Sequence, residues 1–207
     1  MNPDRQWWLR VPAMFLDPRA VFVALRNEEV DDVEARQEPI LALVYLAGIA
    51  AVLATSTAGS LLDDGEYDSL LVAVWAVVAG GIYGLAGYFI IGGAVYLGAR
   101  GLGSLGTYRR ARQLLAFAAA PLALSLFLVW PLQLAVLGDD VFRTGGSDDG
   151  AADLAFDALE LAFALWSASL LLVGVRAIHG WSWWRSLGVM ALVALFLAAF
   201  AYLPSVA

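Results

Sequence analysis

The uncharged stretch LLVAVWAVVAGGIYGLAGYFIIGGAVYLGA, residues 70–99, decides the fold class of this chain. An α-helix rises about 1.5 Å per residue, so about 20 apolar residues cross the roughly 30 Å of hydrocarbon in a bilayer. No water is present in that layer, and a helix satisfies its own backbone hydrogen bonds there. We therefore interpret this stretch as a transmembrane helix.

Four further apolar runs flank it, and together they predict an all-α membrane protein with five transmembrane helices. Of the 207 residues, 61% are hydrophobic and only 15% are charged, and the mean hydropathy is +0.76. The five-helix domain is expected over residues 39–207, preceded by an N-terminal arm over residues 1–38. The spans are expected at about residues 40–59, 70–99, 114–137, 154–178 and 187–202.

The arginines predict the orientation of the chain. All 12 basic residues are arginine, and every one except Arg143 lies before the first span, between the second and third spans, or around the turn between the fourth and fifth. Positively charged residues close to span ends are retained in the cytoplasm. The pattern therefore predicts a multi-pass protein of the cell membrane with its N-terminus inside and its C-terminus outside.

The arm itself is expected to be amphipathic. In WWLRVPAMFLDPRAVFVALRNEEV, residues 7–30, Phe22 and Leu25 share one helical face while charged residues occupy the other. Such a segment is typical of a helix that lies in the membrane interface, here anchored by Trp7 and Trp8. The alternative is a solvated tail.

The only histidine of the chain, His179, lies in LVGVRAIHGWSWWRS, residues 172–186. A single imidazole without a second histidine, a cysteine or a clear carboxylate partner predicts neither a metal site nor a catalytic dyad, although it could sense pH near neutrality. Tryptophan and arginine at a helix end favour anchoring at the headgroups. The expected anchors in this turn are Trp181, Trp183, Trp184, Arg176 and Arg185.

Small residues at spacings of four predict close helix packing in the first two spans. The fourth span carries a stripe of carboxylates and mostly small residues that should face protein. The residues of these stripes are Ala47, Ala51, Thr55 and Gly59 in the first span, Ala76, Gly80 and Gly84 in the second, and Asp153, Asp157, Glu160, Ala164, Ser167, Leu171 and Gly174 in the fourth.

Glu160 and Gln133 are the polar residues of greatest interest inside the expected membrane domain. They lie at similar depths on antiparallel spans, so a hydrogen bond between them could fasten two helices. Pro121 and Pro131 are expected to kink the third span, because proline removes an internal hydrogen bond. The alternative is a small channel or transporter in which Glu160, Gln133 and the kinked third helix line a polar path. Asp157 is a further candidate functional polar residue.

At this point the order of several motifs resembles the Yip1 family of membrane proteins. These motifs are FLDPRAVFVAL (residues 15–25), EPILALVYLAGIAAVL (38–53), GTYRRARQLLAFAAAPLAL (106–124) and LLVGVRAIHGWSWWRSLGVMAL (171–192). The resemblance implies a five-helix integral membrane protein with a cytoplasmic N-terminus, and for eukaryotic relatives it implies vesicle traffic and binding of small GTPases. The chain lacks their long N-terminal region with its Asp-Leu-Tyr-Gly-Pro segment, so GTPase binding is not carried over.

The sequence predicts no enzyme, metal or cofactor. There is no cysteine, and the lone histidine is expected at the cytoplasmic edge without a serine from a glycine-flanked loop facing it. A net charge of −7 argues against nucleic acid as a partner. Acidic residues combined with arginine in place of lysine resemble a protein from a salt-loving archaeon. The expected function is to organise the membrane or recruit membrane-protein partners, and the candidate contacts are lipids, other membrane proteins and further copies of the chain.

Overall fold

The computed structural model describes residues 3–27, 38–104, 106–145 and 150–202, and every regular element in them is helical. The α-helices in these residues are α1 (Pro3–Leu16), α2 (Pro18–Asn27), α3 (Glu38–Leu53), α4 (Ser69–Gly101), α5 (Tyr108–Ala118), α6 (Ala120–Leu137), α7 (Ala151–His179) and α8 (Trp183–Tyr202). Short 3-10 turns over Ala58–Asp63 and Gly138–Phe142 follow α3 and α6.

Three helical segments are long and apolar enough to cross a membrane. They are Ser69–Gly101, Tyr108–Phe142 and Ala151–His179, and shorter apolar helices cover Ile40–Leu53 and Trp183–Ala199. The five apolar segments thus follow the order expected from the sequence, and among the described residues three of them meet both the length and the hydropathy of a membrane span. The Tyr108–Phe142 segment is helical from a point six residues before the expected start of the third span.

The first expected span, residues 40–59, is wrong at its C-terminal end, because α3 ends at Leu53. The Thr55 hydroxyl donates a hydrogen bond to the Val52 carbonyl oxygen over 2.6 Å, and the Ala58 amide donates to Thr55 Oγ1. Threonine and serine side chains compete in this way for backbone groups that would otherwise extend a helix. The 16 residues of α3 span about 24 Å at 1.5 Å per residue.

The chain forms two compact units. Unit 1 consists of Met1–Leu41, Gly87–Ala118 and Ala168–Ala207, and unit 2 consists of Ala42–Ala86 and Ala119–Ser167. Each of the long helices α4 and α7 contributes one part to each unit. All arginines except Arg143 belong to unit 1 by sequence. The segments that the arginine pattern groups on one side of the membrane therefore all belong to unit 1.

In unit 2, glycine allows α3 and α4 to touch backbone to backbone. A Cβ atom at Gly80 would lie 2.6 Å from Ile49 Cα, and one at Gly48 would collide with the backbone of Gly80 and Gly84. The Tyr45 hydroxyl donates a hydrogen bond to the Val77 carbonyl oxygen over 3.1 Å. Small residues let membrane helices approach closely where lipid supplies no hydrophobic drive.

The expected small-residue stripe is therefore confirmed on α4 and only partly correct on α3. Gly80 and Gly84 lie in the contact, but α3 meets them with Gly48. Ala51 is exposed, and the last two members of the α3 stripe lie beyond the end of the helix. An α-helix has 3.6 residues per turn, so residues spaced by exactly four move gradually around its surface. Gly48, which is not in the expected stripe, therefore lies in the contact with α4.

The two 3-10 turns of unit 2 pack on each other. Leu62, Val72, Trp130 and Phe142 form a buried cluster beneath them. Across the turns, the Thr144 amide donates hydrogen bonds to both carboxylate oxygens of Asp63, at 3.0 and 3.2 Å. Hydrogen bonds from the side chain and backbone of Thr144 lower the pKa of Asp63 below its ordinary value.

In unit 1, the apolar face of α2 packs against protein. Phe22 is fully buried, and its ring lies 3.0 Å from the position that a Cβ atom at Gly174 would occupy. Leu25 and Met14 are also buried, and α1 and α2 both contact α5. This face, including Phe22, was expected to lie in the lipid interface. The structure differs because Gly174 leaves a space on α7 that the phenylalanine ring fills.

The two prolines of the third expected span occupy different positions. Helix α5 ends at Ala118, Ala119 interrupts the helix, and Pro121 lies in the first turn of α6. The first turn suits proline because its missing N–H would have no intrahelical acceptor there. Pro131 lies inside α6, which continues to Leu137.

Candidate functional site

His179 joins two connecting segments of unit 1, the loop between α4 and α5 and the turn between α7 and α8. Its Nδ1 lies 2.9 Å from the Val175 carbonyl oxygen, and its Nε2 lies 2.7 Å from Ser104 Oγ. A carbonyl oxygen only accepts, so Nδ1 carries the proton and Nε2 accepts from the Ser104 hydroxyl. Ser104 Oγ in turn accepts from the Gly106 amide over 2.9 Å.

The same histidine belongs to a stack of side chains. The rings of His179 and Trp181 are stacked with centroids 4.4 Å apart. The Arg185 guanidinium carbon lies 4.2 Å from the Trp181 ring centroid. Arg185 also donates a hydrogen bond to the Leu102 carbonyl oxygen, so the stack ties the start of α8 to the end of α4.

The expected interfacial anchors fall into two groups. Trp183 and Trp184 are exposed, the latter by 84%, and the Arg176 guanidinium carbon lies 4.4 Å from the Trp183 ring centroid. Trp181, by contrast, is half-buried in the stack. Trp8 is exposed, whereas the side chain of Trp7 lies outside the described residues. Anchoring by the exposed tryptophans stays a prediction.

One sequence expectation about this site is wrong. Ser104 follows Gly103 in the segment GLGSLG, residues 101–106, and it faces His179 at hydrogen-bond distance. A serine and a histidine in contact are the first two members of many hydrolytic sites. The adjoining cavity measures only about 20 Å³, little more than the 10–15 Å³ or so that one water needs. The Gly106 amide is engaged by Ser104 itself.

Arg112 is a second feature that sequence analysis missed. Its guanidinium carbon lies 5.0 Å from the ring centroid of Tyr88, 4.8 Å from that of Phe89 and 4.6 Å from that of Tyr108. A cation over aromatic faces is stabilised by the ring quadrupoles. The helix approaches closely here because a Cβ atom at Gly92 would lie 2.6 Å from Arg112 Cγ. In the sequence only Tyr108 adjoins the segment RRAR, residues 109–112, whereas the other two rings come from α4.

Glu160 and Gln133 do not form the expected hydrogen bond. Glu160 Oε1 and Gln133 Oε1 are buried, and neither has a partner among the described residues. Ser167 Oγ, on the same helix as Glu160, is in the same state. The expected fastening of the two helices by Glu160 and Gln133 is therefore not seen among the described residues.

The expected protein-facing stripe of α7 is buried only in part. Ser167, Leu171 and Gly174 are buried, whereas Asp157 and Ala164 are exposed. From Ser167 onwards every residue of this stripe is buried, whereas Asp153 and Glu160 in its first half are only half-buried.

The geometry does not favour a polar path in unit 2. A cavity of about 470 Å³ next to Pro131 is mostly apolar and is lined by neither Glu160 nor Gln133. Among the described residues, no three side chains of the histidine, cysteine, aspartate and glutamate types come together where they could hold a metal ion.

These features define the class of protein: a multi-pass helical membrane protein whose connecting loops are held by specific polar contacts. Within that class, a Yip1 domain matches residues 13–203, and the chain belongs to the Yip1 family. No curated protein and no solved structure matches the chain. The motifs that suggested this family in the sequence all lie within the matched residues.

Proposed function

We propose that this chain is a non-enzymatic protein of the cell membrane that organises the bilayer or recruits membrane-protein partners. It crosses the membrane five times, with α3 and α8 as its first and last spans and its N-terminus in the cytoplasm. One observation carries the proposal: the Ser104 and His179 contact joins two connecting segments of unit 1 whose adjoining helix ends carry arginines. A surface held in this way keeps its shape when a partner binds.

The exposure of the long helices supports contact with lipid or with other membrane proteins. In their most apolar windows, only 17% of Ser69–Gly101 and 28% of Ala151–His179 is buried, against 56% of Tyr108–Phe142. Large apolar side chains on an uncovered helix need either lipid or a partner beside them. In α7 these include Leu161 and Leu165.

The recruiting role is tested by photo-crosslinking in cells. A photoreactive amino acid replaces Trp184, which is exposed in the first turn of α8. In a control it replaces Leu195 further along α8, which is 67% exposed. We expect a discrete set of membrane proteins to be linked from position 184 and not from position 195. Equal labelling from both positions would contradict a specific recruiting surface.

The absence of catalysis is tested with a fluorophosphonate probe, which labels activated serines. The purified full chain should not react, because Ser104 adjoins a cavity of only about 20 Å³. Labelling that disappears in Ser104→Ala would show an activated serine and would contradict the proposal. Flux through proteoliposomes that is lost in Glu160→Gln would contradict it in favour of permeation.

A further inference from the structure

A cavity of about 210 Å³ lies between α2 and the last turns of α7 in unit 1. Arg19, Val23 and Arg26 line it from α2, and Arg176 and Gly180 line it from the end of α7. The α2 residues are spaced by four and three, so they share one helical face. We refer to this space as the arginine cavity.

The two helices advance in the same direction along the arginine cavity. Phe22 lies against Gly174, and Arg26 Nη1 lies 3.7 Å from the position that a Cβ atom at Gly180 would occupy. Gly180 has a positive φ of 65°, which glycine adopts without strain and which allows the chain to turn away after α7. The absent side chain leaves room beside the Arg26 guanidinium.

Three arginines line the arginine cavity, and no aspartate or glutamate is among the described residues that line it. Arg26 and Arg176 lie in the last turns of their helices, where a partial charge of about −0.5 favours cations. Arg19, however, lies in the first turn of α2, where the helix dipole disfavours a cation. Helix dipoles thus do not account for all three arginines of the cavity. A bound anion would account for all three, because it attracts each of them.

Arg176 supplies an independent sign of a missing acceptor. Its guanidinium carbon lies over the ring of Trp183, yet its Nε is buried and has no hydrogen-bond partner among the described residues. Buried donors of charged groups are normally paired. A guanidinium group presents its N–H donors in a planar fork that matches the oxygens of a phosphate.

The remaining lining points to the source of that phosphate. Val23, Val173, Ala177 and Trp181 add apolar surface to the arginine cavity. The cavity also lies at the end of Ala151–His179, a helix long and apolar enough to cross a membrane. An apolar wall beside cationic groups at a helix end suits a lipid headgroup with its attached glycerol and acyl chains.

We propose that the arginine cavity binds the phosphate group of one anionic membrane lipid. Arg19, Arg26 and Arg176 hold the phosphate oxygens, and the start of the acyl chains follows the valine and alanine side chains. The volume of about 210 Å³ is well over the 10–15 Å³ or so that a single water needs. The proposal goes beyond the recruiting role and does not depend on it.

The test is native mass spectrometry of the full chain in detergent, titrated with dioleoylphosphatidylglycerol or with dioleoylphosphatidylcholine. We expect one phosphatidylglycerol to be retained at concentrations at which phosphatidylcholine is not. Arg19→Gln and Arg26→Gln should each weaken that binding about tenfold, as expected for a lost hydrogen bond to a charged group. Both arginines are exposed, so both variants should fold, which circular dichroism would check.

Arg100→Gln is the matched control, because it removes the same charge from an exposed arginine of unit 1 that does not line the cavity. Its affinity should stay within about twofold of the wild type. Equal losses in Arg100→Gln and Arg19→Gln would reduce the effect to surface charge and overturn the proposal. Glycerol 3-phosphate should compete only weakly, and competition as strong as that of the lipid would assign the cavity to a soluble phosphate compound instead.

Discussion

The Ser104 hydroxyl is the atom through which two connecting segments of unit 1 meet. It donates to His179 Nε2 and accepts from the Gly106 amide. Sequence separation hides this contact, because the two residues lie 75 positions apart and neither has a motif around it that specifies the other. The lone histidine was noticed from the sequence, but its partner depends on how loops fold back, which local patterns do not encode.

Ser104→Ala should lower the free energy of unfolding by about 1–2 kcal/mol, because it leaves the half-buried His179 Nε2 without its donor. A double-mutant cycle with His179→Ala, followed by denaturant titration in mixed micelles, should give a coupling energy of about 1 kcal/mol. Ser60→Ala is the control, since Ser60 hydrogen-bonds only within its own segment. Additive effects of Ser104→Ala and His179→Ala would exclude the contact.

Asp63 gives a prediction about pH. Because hydrogen bonds from Thr144 lower its pKa in the folded state, folding favours the ionised carboxylate. The stabilisation is therefore present above the unfolded pKa of about 3.9 and is lost as the pH falls through the folded value. In Thr144→Ala the pKa of Asp63 should move towards its ordinary value, measured by carboxyl-carbon NMR. An unchanged pKa of Asp63 in Thr144→Ala would contradict the side-chain hydrogen bond.

At the scale of helices, the contact between α3 and α4 depends on the absence of side chains. In Gly80→Ala the added methyl group would lie 2.6 Å from Ile49 Cα. The helices must separate, and we expect a loss of about 1–3 kcal/mol in the free energy of unfolding. Gly87→Ala on the same helix is the control, because its methyl group meets only Ile91 Cδ1, at 3.7 Å.

The Gly87→Ala variant should be neutral or more stable by up to about 1 kcal/mol, since alanine loses less backbone entropy than glycine in a helix. Thermal unfolding of both variants in the same detergent measures the difference. If Gly80→Ala were as stable as Gly87→Ala, the close approach of α3 and α4 would be refuted.

Helix positions were more predictable than helix partners. The second span was expected over residues 70–99 and α4 covers Ser69–Gly101, because a long uncharged run leaves few alternatives. The end of α3 was missed because it depends on a hydroxyl, that of Thr55, bonding back to Val52. The amphipathic face of α2 was recognised, but amphipathicity does not distinguish lipid from the space that Gly174 leaves for Phe22.

At the scale of the whole molecule, the distribution of charge and the division into units agree. Unit 2 contains Arg143 and unit 1 contains every other arginine. The family match over residues 13–203 includes all five apolar segments. The 20 residues of α8 reach about 30 Å, enough to cross, whereas α3 is shorter and needs a thinned bilayer or its flanking residues to do so.

The last prediction concerns the number of crossings and their direction. Because the chain has no cysteine, single cysteines can be labelled on intact cells with an impermeant maleimide. With five spans and the N-terminus inside, Ser147→Cys and Ser205→Cys should react and Ser182→Cys should not. Ser147 and Ser205 lie outside the described residues, and Ser182 is exposed in the turn before α8.

Ser205→Cys distinguishes five spans from three. If α3 and α8 lay along the surface and only the three long helices crossed, the C-terminus would share the side of Ser182, and neither cysteine would react while Ser147→Cys still did. If the orientation were inverted, Ser182→Cys alone would react. Permeabilised cells serve as the control, since all three cysteines should then be labelled. The distribution of arginines predicts which side each loop faces, and Ser147→Cys and Ser182→Cys test that prediction. The lengths of α3 and α8 bear on the number of crossings, which Ser205→Cys tests separately.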